Sequence, residues 1–241
     1  MRELLSGLSD RRLRRRALRS ETNLPQAAQR YVCLSRLSLG GRAALRGRLV
    51  VVDTETTGLE PGRDRLLSIG GVAVVDGEVR PSDSIELVLQ GPEVGAAAAP
   101  VHGMTRGDLR AGTPPVEALC QFLDWVGMDL LVAHHLAFDR AMLNGALAEY
   151  LPPLYLRNRG LDTVRLAQRL EQPISISGAP APPPPGSGRY TLDAQCATHG
   201  IRVVHRHHAV GDALATATLL VVLLHKLRRR GLTELSDLLR S

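Results

Sequence analysis

Aromatic side chains are scarce in this chain, with two phenylalanines, one tryptophan and four tyrosines in 241 residues. A surface that stacks many successive bases of a long single strand needs more rings than that, so a broad aromatic platform is excluded. Cysteine is also sparse. Cys33, Cys120 and Cys196 are odd in number and far apart, which excludes a disulfide framework and suits a reducing compartment, with the cytoplasm as the expected location. No unbroken apolar run approaches the roughly 18 residues of a membrane span; the longest, Leu219 to Leu224, is far shorter, and no membrane partner is expected. The Arg-rich start has no apolar segment behind it and is interrupted by Glu3 and Asp10, so it reads as part of the mature chain rather than a targeting segment.

With 44% hydrophobic residues the chain can bury a full core as one main domain. Its charge is uneven. Residues 1 to 48 hold 12 arginines against Glu3, Asp10 and Glu21, a net +9, whereas residues 49 to 241 carry 18 basic and 21 acidic groups, a net −3. The basic leader, with Arg11, Arg12, Arg14, Arg15 and Arg16, fits a segment that follows a phosphate backbone, one that docks a protein partner, or a solvated helix face.

Apolar spacing predicts a helical extension over residues 1–47, with one helix capped by Ser9 or Asp10 and another over Gln26 to Leu37, before Gly40 and Gly41 punctuate the chain. From Arg48 the pattern changes. Leu49 to Asp53, Leu66 to Val75 and Ser84 to Leu89 read as strands, with a turn at Asp76-Gly77, and Leu130 to Ala133 as a buried strand. Helices are expected behind Pro114 and Pro115 (Val116, Leu119, Cys120, Leu123), over Phe138 to Glu149, from Thr163, from Thr191, and from His208 to Arg229. The proline-rich stretch 178–188 reads as an exposed loop and 231–241 as a short tail. Strands first and helices interleaved later indicate an α/β fold with a mixed sheet flanked by helices, occupying residues 48–230.

The strongest chemical signal is Asp53-Thr54-Glu55-Thr56-Thr57-Gly58 at the end of the first strand. Strand alternation sends Asp53 and Glu55 to the same face. Two carboxylates that close repel each other unless a cation lies between them, and hard oxygen ligands select Mg²⁺ or Mn²⁺; taken alone, the pair reads more readily as surface acids beside a turn. Two further elements change that balance. His207-His208-Ala209-Val210-Gly211-Asp212 leads into a long apolar helix, with Asp212 on its first turn and His207 on the approach loop. His134-His135-Leu136-Ala137-Phe138-Asp139 follows a short strand and puts Asp139 at a helix start.

These three elements, in this order and spacing, resemble the DEDDh exonuclease family, which includes the proofreading epsilon subunit of bacterial DNA polymerase III, RNase T and oligoribonuclease. Asp53 and Glu55 match its first motif, Asp139 its second, His207 and Asp212 its third. The resemblance covers about Arg48 to Lys226. It implies an RNase H-like fold and release of nucleoside 5′-monophosphates from the 3′ end of DNA or RNA, with single-stranded DNA the expected partner. Two divalent ions, Mg²⁺ or Mn²⁺, about 4 Å apart and held by Asp53, Glu55, Asp139 and Asp212, would flank the scissile phosphate. Neutral His207 would take the proton of the attacking water.

The resemblance extends to Val101-His102-Gly103-Met104-Thr105, where His102 and Met104 line the terminal-nucleotide pocket or pack a turn, and to the region of Thr54, Thr57, Gly58 and Leu59. Leu59 would press on the last base, and backbone groups at Thr54 would meet the 3′ hydroxyl. Asp162 recurs in the family, but a helix N-cap explains it as well. His135 departs from the asparagine that many members carry, and His134 reads as a structural histidine rather than the base. Compared with the replicative epsilon subunit, the chain adds a basic leader and carries a short tail in place of the polymerase-binding one.

Two rival readings stand beside this one. Cys196 and His199, followed by His205, His207 and His208, mimic the spacing of a structural zinc site in a nucleic-acid-binding module. An exonuclease fold kept only for protein interaction is the other.

Overall fold

A computed structural model of the chain describes residues 24–37, 47–91, 104–171, 188–204, 206–232 and 238. Helix α1 (Gln26–Leu37) precedes strands β1 (Arg48–Thr56), β2 (Leu66–Val75) and β3 (Glu78–Val88). Then come α2 (Arg106–Ala111), α3 (Pro115–Val126), β4 (Leu130–Ala133), α4 (Leu136–Tyr150), β5 (Gly160–Asp162), α5 (Thr163–Glu171), a 3₁₀ turn (Gly188–Tyr190), α6 (Leu192–Thr198) and α7 (Ala209–Arg229). The sheet order is β3-β2-β1-β4-β5. The first three strands run antiparallel, and β4 and β5 join β1 in parallel, which is the expected mixed sheet.

Alternation along the central strands builds a core on each side. Val50, Val52, Leu131 and Ala133 face α1, α3 and α4, while Leu49, Val51, Leu130 and Val132 face α5, α6 and α7. Strand β1 is therefore apolar at every position from Leu49 to Val52, because both of its faces are covered. Helix α7 carries Ala213, Leu219, Leu220 and Leu223 into the second core. Among the described residues it is the one helix long and apolar enough to cross a membrane by length and composition, and 56% of its apolar window is buried inside the protein, as befits a core helix.

Several boundaries differ from the sequence reading. Strand β1 runs on through the motif to Thr56, because Asp53 to Thr56 still pair with Gly70 to Leu66 of β2. Strand β3 begins at Glu78, straight after the Asp76-Gly77 turn, where its alternation is blurred by an exposed edge and by Pro81. Two short elements, α2 and β5, come in addition. Helix α1 docks on the sheet domain: Tyr31 is buried, its hydroxyl donates to Asn158 Oδ1 (2.6 Å) and accepts from the Arg157 amide (2.7 Å). The Ser9/Asp10 helix, the Gly40-Gly41 break and most of the tail lie outside the described residues, as does the proline-rich loop except Gly188 at its end.

Candidate active site

At the end of β1, Asp53 and Glu55 point to the same face as Leu49 and Val51, the side that α7 covers. Asp212, on the first turn of α7, meets them there and is only 4% exposed. Oxygen atoms of Asp53, Glu55 and Asp212 all lie within 4.8 Å of one another. The two motifs, more than 150 residues apart in sequence, thus converge because α7 packs on β1 and β2.

Asp139 enters from the first turn of α4 and is buried. It stands outside the converging trio but is electrostatically tied to it, since its charge is among the influences that raise Asp53. Thr54, whose side chain points away from Asp53 along the strand, donates its hydroxyl to Asp139 Oδ1 (2.8 Å). That side-chain role was not legible in the sequence, where Thr54 offered only its backbone.

The start of α4 is held by its neighbours. Asp162 accepts from the amides of His135 (3.2 Å) and Leu136 (3.1 Å) and from Val164 (2.9 Å) at the start of α5, so one carboxylate caps two helices. His135, the residue before α4, has φ 71°, a left-handed conformation that asparagine and histidine tolerate better than most residues. His134 is structural, as expected: Nε2 donates to the Tyr190 carbonyl (2.8 Å) and Nδ1 meets the Thr163 hydroxyl (2.8 Å). Burial holds its pKa below the ordinary histidine value and keeps the ring neutral.

Electrostatically the site is a store of unfavourable charge. Burial, then repulsion from Asp139, Asp212 and Glu55, raises Asp53 well above the carboxylate range. Burial and Asp212 push Glu55 up to about 7, and burial pushes Asp139 up to about 7 against the lowering effect of Thr54. Asp212 Oδ1 is buried without a hydrogen-bond partner. An all-oxygen cluster with an orphaned buried oxygen and ionisation this hindered fits a hard divalent cation.

His207 lies at the rim with φ 60° and an exposed imidazole, and its amide donates to Asp212 Oδ2 (3.2 Å). The same oxygen accepts from Arg206 Nη1, a group the sequence reading did not single out although it directly precedes the motif histidine.

The other expected contact residues surround the turn after β1. Thr57 Oγ1 donates to Asp64 Oδ1 (3.0 Å) and accepts from the Arg65 amide (2.9 Å), so its hydroxyl braces the loop. Gly58 lets Asp64 approach so closely that a Cβ would sit 2.4 Å from Oδ2. Leu59 is 82% exposed at the tip, and Met104 is half-buried just before Thr105, the N-cap of α2. His102 lies outside the described residues.

Among the described residues the zinc ligands do not come together. Cys196 is buried in the core, its thiol pushed up to about 11 by burial, while His199 Nδ1 lies 2.8 Å from Lys226 Nζ and His208 pairs with Glu86 (3.1 Å). His205 lies outside the described residues.

Residues 50–220 match the exonuclease (RNase T) family. The chain is 27% identical over 198 residues to a PolC-type DNA polymerase III of Caldanaerobacter subterraneus, covering 81% of this chain and 13% of that protein. It is 33% identical over 213 residues to a DNA polymerase III subunit epsilon-like protein of Rhodobacter capsulatus, covering 84% of this chain and 28% of the relative. The chain thus spans only a minor part of the length of these relatives. Among solved structures it is similar in fold to exonuclease I (TM-score 0.61, 16% identity, 76% of this chain and 42% of that one). A structure of E. coli exonuclease I with a dT13 oligonucleotide gives TM-score 0.59 at 15% identity over 77% of this chain and 43% of that one.

Proposed function

Because this chain belongs to the exonuclease family, we propose that it is a metal-dependent 3′–5′ exonuclease that releases nucleoside 5′-monophosphates from single-stranded DNA. The observation that carries this reading is the meeting of Asp53, Glu55 and Asp212 oxygens within 4.8 Å, with buried Asp139 near enough for its charge to raise Asp53. Asp53, Glu55, Asp139 and Asp212 would hold two divalent ions, Mg²⁺ or Mn²⁺. When bound, such ions supply positive charge to the attacking and leaving oxygens of the phosphodiester.

The chain's own groups do the rest. Thr54 orients Asp139, and the His207 amide steadies Asp212 while its exposed imidazole is free to accept the proton of the attacking water. Exposed Leu59, four residues beyond Glu55, would offer an apolar face to the last base, with half-buried Met104 as a candidate for further lining. The choice of DNA is supported by the polymerase-type relatives and by the oligodeoxynucleotide bound to E. coli exonuclease I. The choice of a single strand rests on a short end-binding site that needs few aromatic rings.

The test is a digestion panel of end-labelled single- and double-stranded DNA and RNA with Mg²⁺, Mn²⁺ or EDTA, run beside Asp212→Asn. Stepwise shortening from the 3′ end with either metal, lost in EDTA and lowered at least about 10³-fold in the variant, is the expected result. Activity in the variant equal to the parent overturns the assignment, and a faster rate on RNA overturns the substrate choice alone.

A further inference from the structure

Arg206 sits between two acids of different character. Its Nε and Nη2 donate to the two oxygens of Asp193 (2.6 and 3.0 Å), a side-on bidentate pairing on α6, and its Nη1 donates to Asp212 Oδ2. The Asp193 side chain is 62% exposed and that of Asp212 only 6%. The His207 amide reaches the same Asp212 oxygen, so Oδ2 has two donors while Oδ1, buried, has none.

We infer that Arg206 is a positioning residue for the metal site: anchored by Asp193, it saturates one oxygen of Asp212 so that the carboxylate presents Oδ1 alone to a cation. The inference rests on the metal-dependent reading above. A carboxylate with both oxygens free can rotate, chelate through both or turn away from its neighbours; donors on one oxygen remove those options and fix the direction of the other. The geometry calls for arginine, because a side-on bidentate grip on Asp193 with a third donor left for Asp212 needs a planar fork of fixed donors, which an ammonium group lacks. The positive charge also relieves the cluster, since Arg206 is the influence that lowers both Asp53 and Glu55 against their burial and mutual repulsion.

The opposite reading of the same contact, a cation that competes with metal for Asp212, differs in sign and so can be separated. The full-length protein, without nucleic acid, is titrated with Mn²⁺ by calorimetry and by the electron paramagnetic resonance signal of free Mn²⁺, for the parent, Arg206→Ala, Arg206→Lys, Asp193→Asn and the Arg206→Ala/Asp193→Asn pair. Removing the guanidinium is expected to weaken Mn²⁺ binding about 10- to 100-fold. Asp193→Asn should weaken it less, the paired variant should be no weaker than Arg206→Ala, and Arg206→Lys should stay closer to Arg206→Ala than to the parent. Parental or tighter Mn²⁺ binding in Arg206→Ala, or full restoration by lysine, overturns the positioning role. Should Arg206→Ala fail to fold, the exposed Asp193→Asn decides, with parental affinity overturning the inference. A parent that binds no Mn²⁺ would instead remove the metal-dependent reading itself, and this inference with it.

Discussion

Gly70 stands directly across the β1–β2 ladder from Asp53, and a Cβ at Gly70 would come within 2.1 Å of the Ala209 carbonyl carbon. The missing side chain is what lets the first turn of α7, with Asp212, settle onto β2 beside the strand carboxylates. Backbone cannot yield as a flexible side chain would. Gly70→Ala is therefore expected to destabilise the fold by about 1–3 kcal/mol, the usual range for overpacking, and to weaken Mn²⁺ binding as Asp212 is pushed outward. Calorimetric melting and Mn²⁺ titration check both, and a parental Mn²⁺ affinity would show that α7 is not held by this contact.

The raised carboxyl values carry a sign for stability. A group that titrates higher in the folded than in the unfolded chain binds protons more tightly when folded, so its contribution is complete below the ordinary carboxylate range and is lost as pH climbs through the folded value. Glu55 and Asp139, both near 7, and Asp53, also raised, make the metal-free protein less stable as pH rises toward neutrality. Its melting temperature should fall by several degrees between about pH 5.5 and about pH 8, and saturating Mn²⁺ should cancel the fall. Asp53→Asn should raise the metal-free melting temperature at about pH 8 by roughly 2–4 °C for each kcal/mol of repulsion removed. A metal-free parent that melts higher at pH 8 than at pH 5.5 contradicts the cluster as described.

Thr54 gives a narrower handle on Asp139. Its hydroxyl is the side-chain donor to Asp139 Oδ1 at 2.8 Å, in a buried setting. A hydrogen bond to a charged group is worth about 1.5–3 kcal/mol, so Thr54→Val should lower turnover roughly tenfold or more and Thr54→Ser should recover most of it. Steady-state kinetics with Mn²⁺ read the comparison. Equal turnover in the valine and serine variants would place the role of Thr54 elsewhere.

Chelation should act on binding as well as on cleavage. Residues 49 to 241 carry a net −3, and an acidic cleft repels a phosphodiester until divalent ions occupy it. Affinity for a short fluorescent single strand, measured by anisotropy, is expected to drop on the order of tenfold in EDTA. Unchanged affinity would place binding on the arginine-rich leader.

Where burial was strong and local, the sequence could be read closely. Strand β2 matched its apolar run from Leu66 to Val75, since both faces are covered and every position but the last is buried. Helix α1 kept its expected bounds, Gln26–Leu37, yet nothing in its spacing announced that Tyr31 would lock onto Asn158. Strand β3 was half missed because an edge strand needs little alternation. Helix α2 was missed although Thr105 and Asp108 form a capping box, a signal that is present in Thr105-Arg106-Gly107-Asp108 but hard to weigh in a helix of six residues.

Strand alternation and helix starts are local rules, enough to pair Asp53 with Glu55 and to place Asp139 and Asp212 on first helical turns, but it was the resemblance to the DEDDh exonucleases that joined them with His207 as one set. Distance in the chain hides everything else. That Asp212 Oδ1 is buried without a partner, that Arg206 reaches Asp193, and that Gly70 opens the gap for α7 depend on packing between elements far apart in sequence. Such contacts exist only once two faces of a sheet have been covered, and no periodicity along one segment encodes which neighbour will cover it.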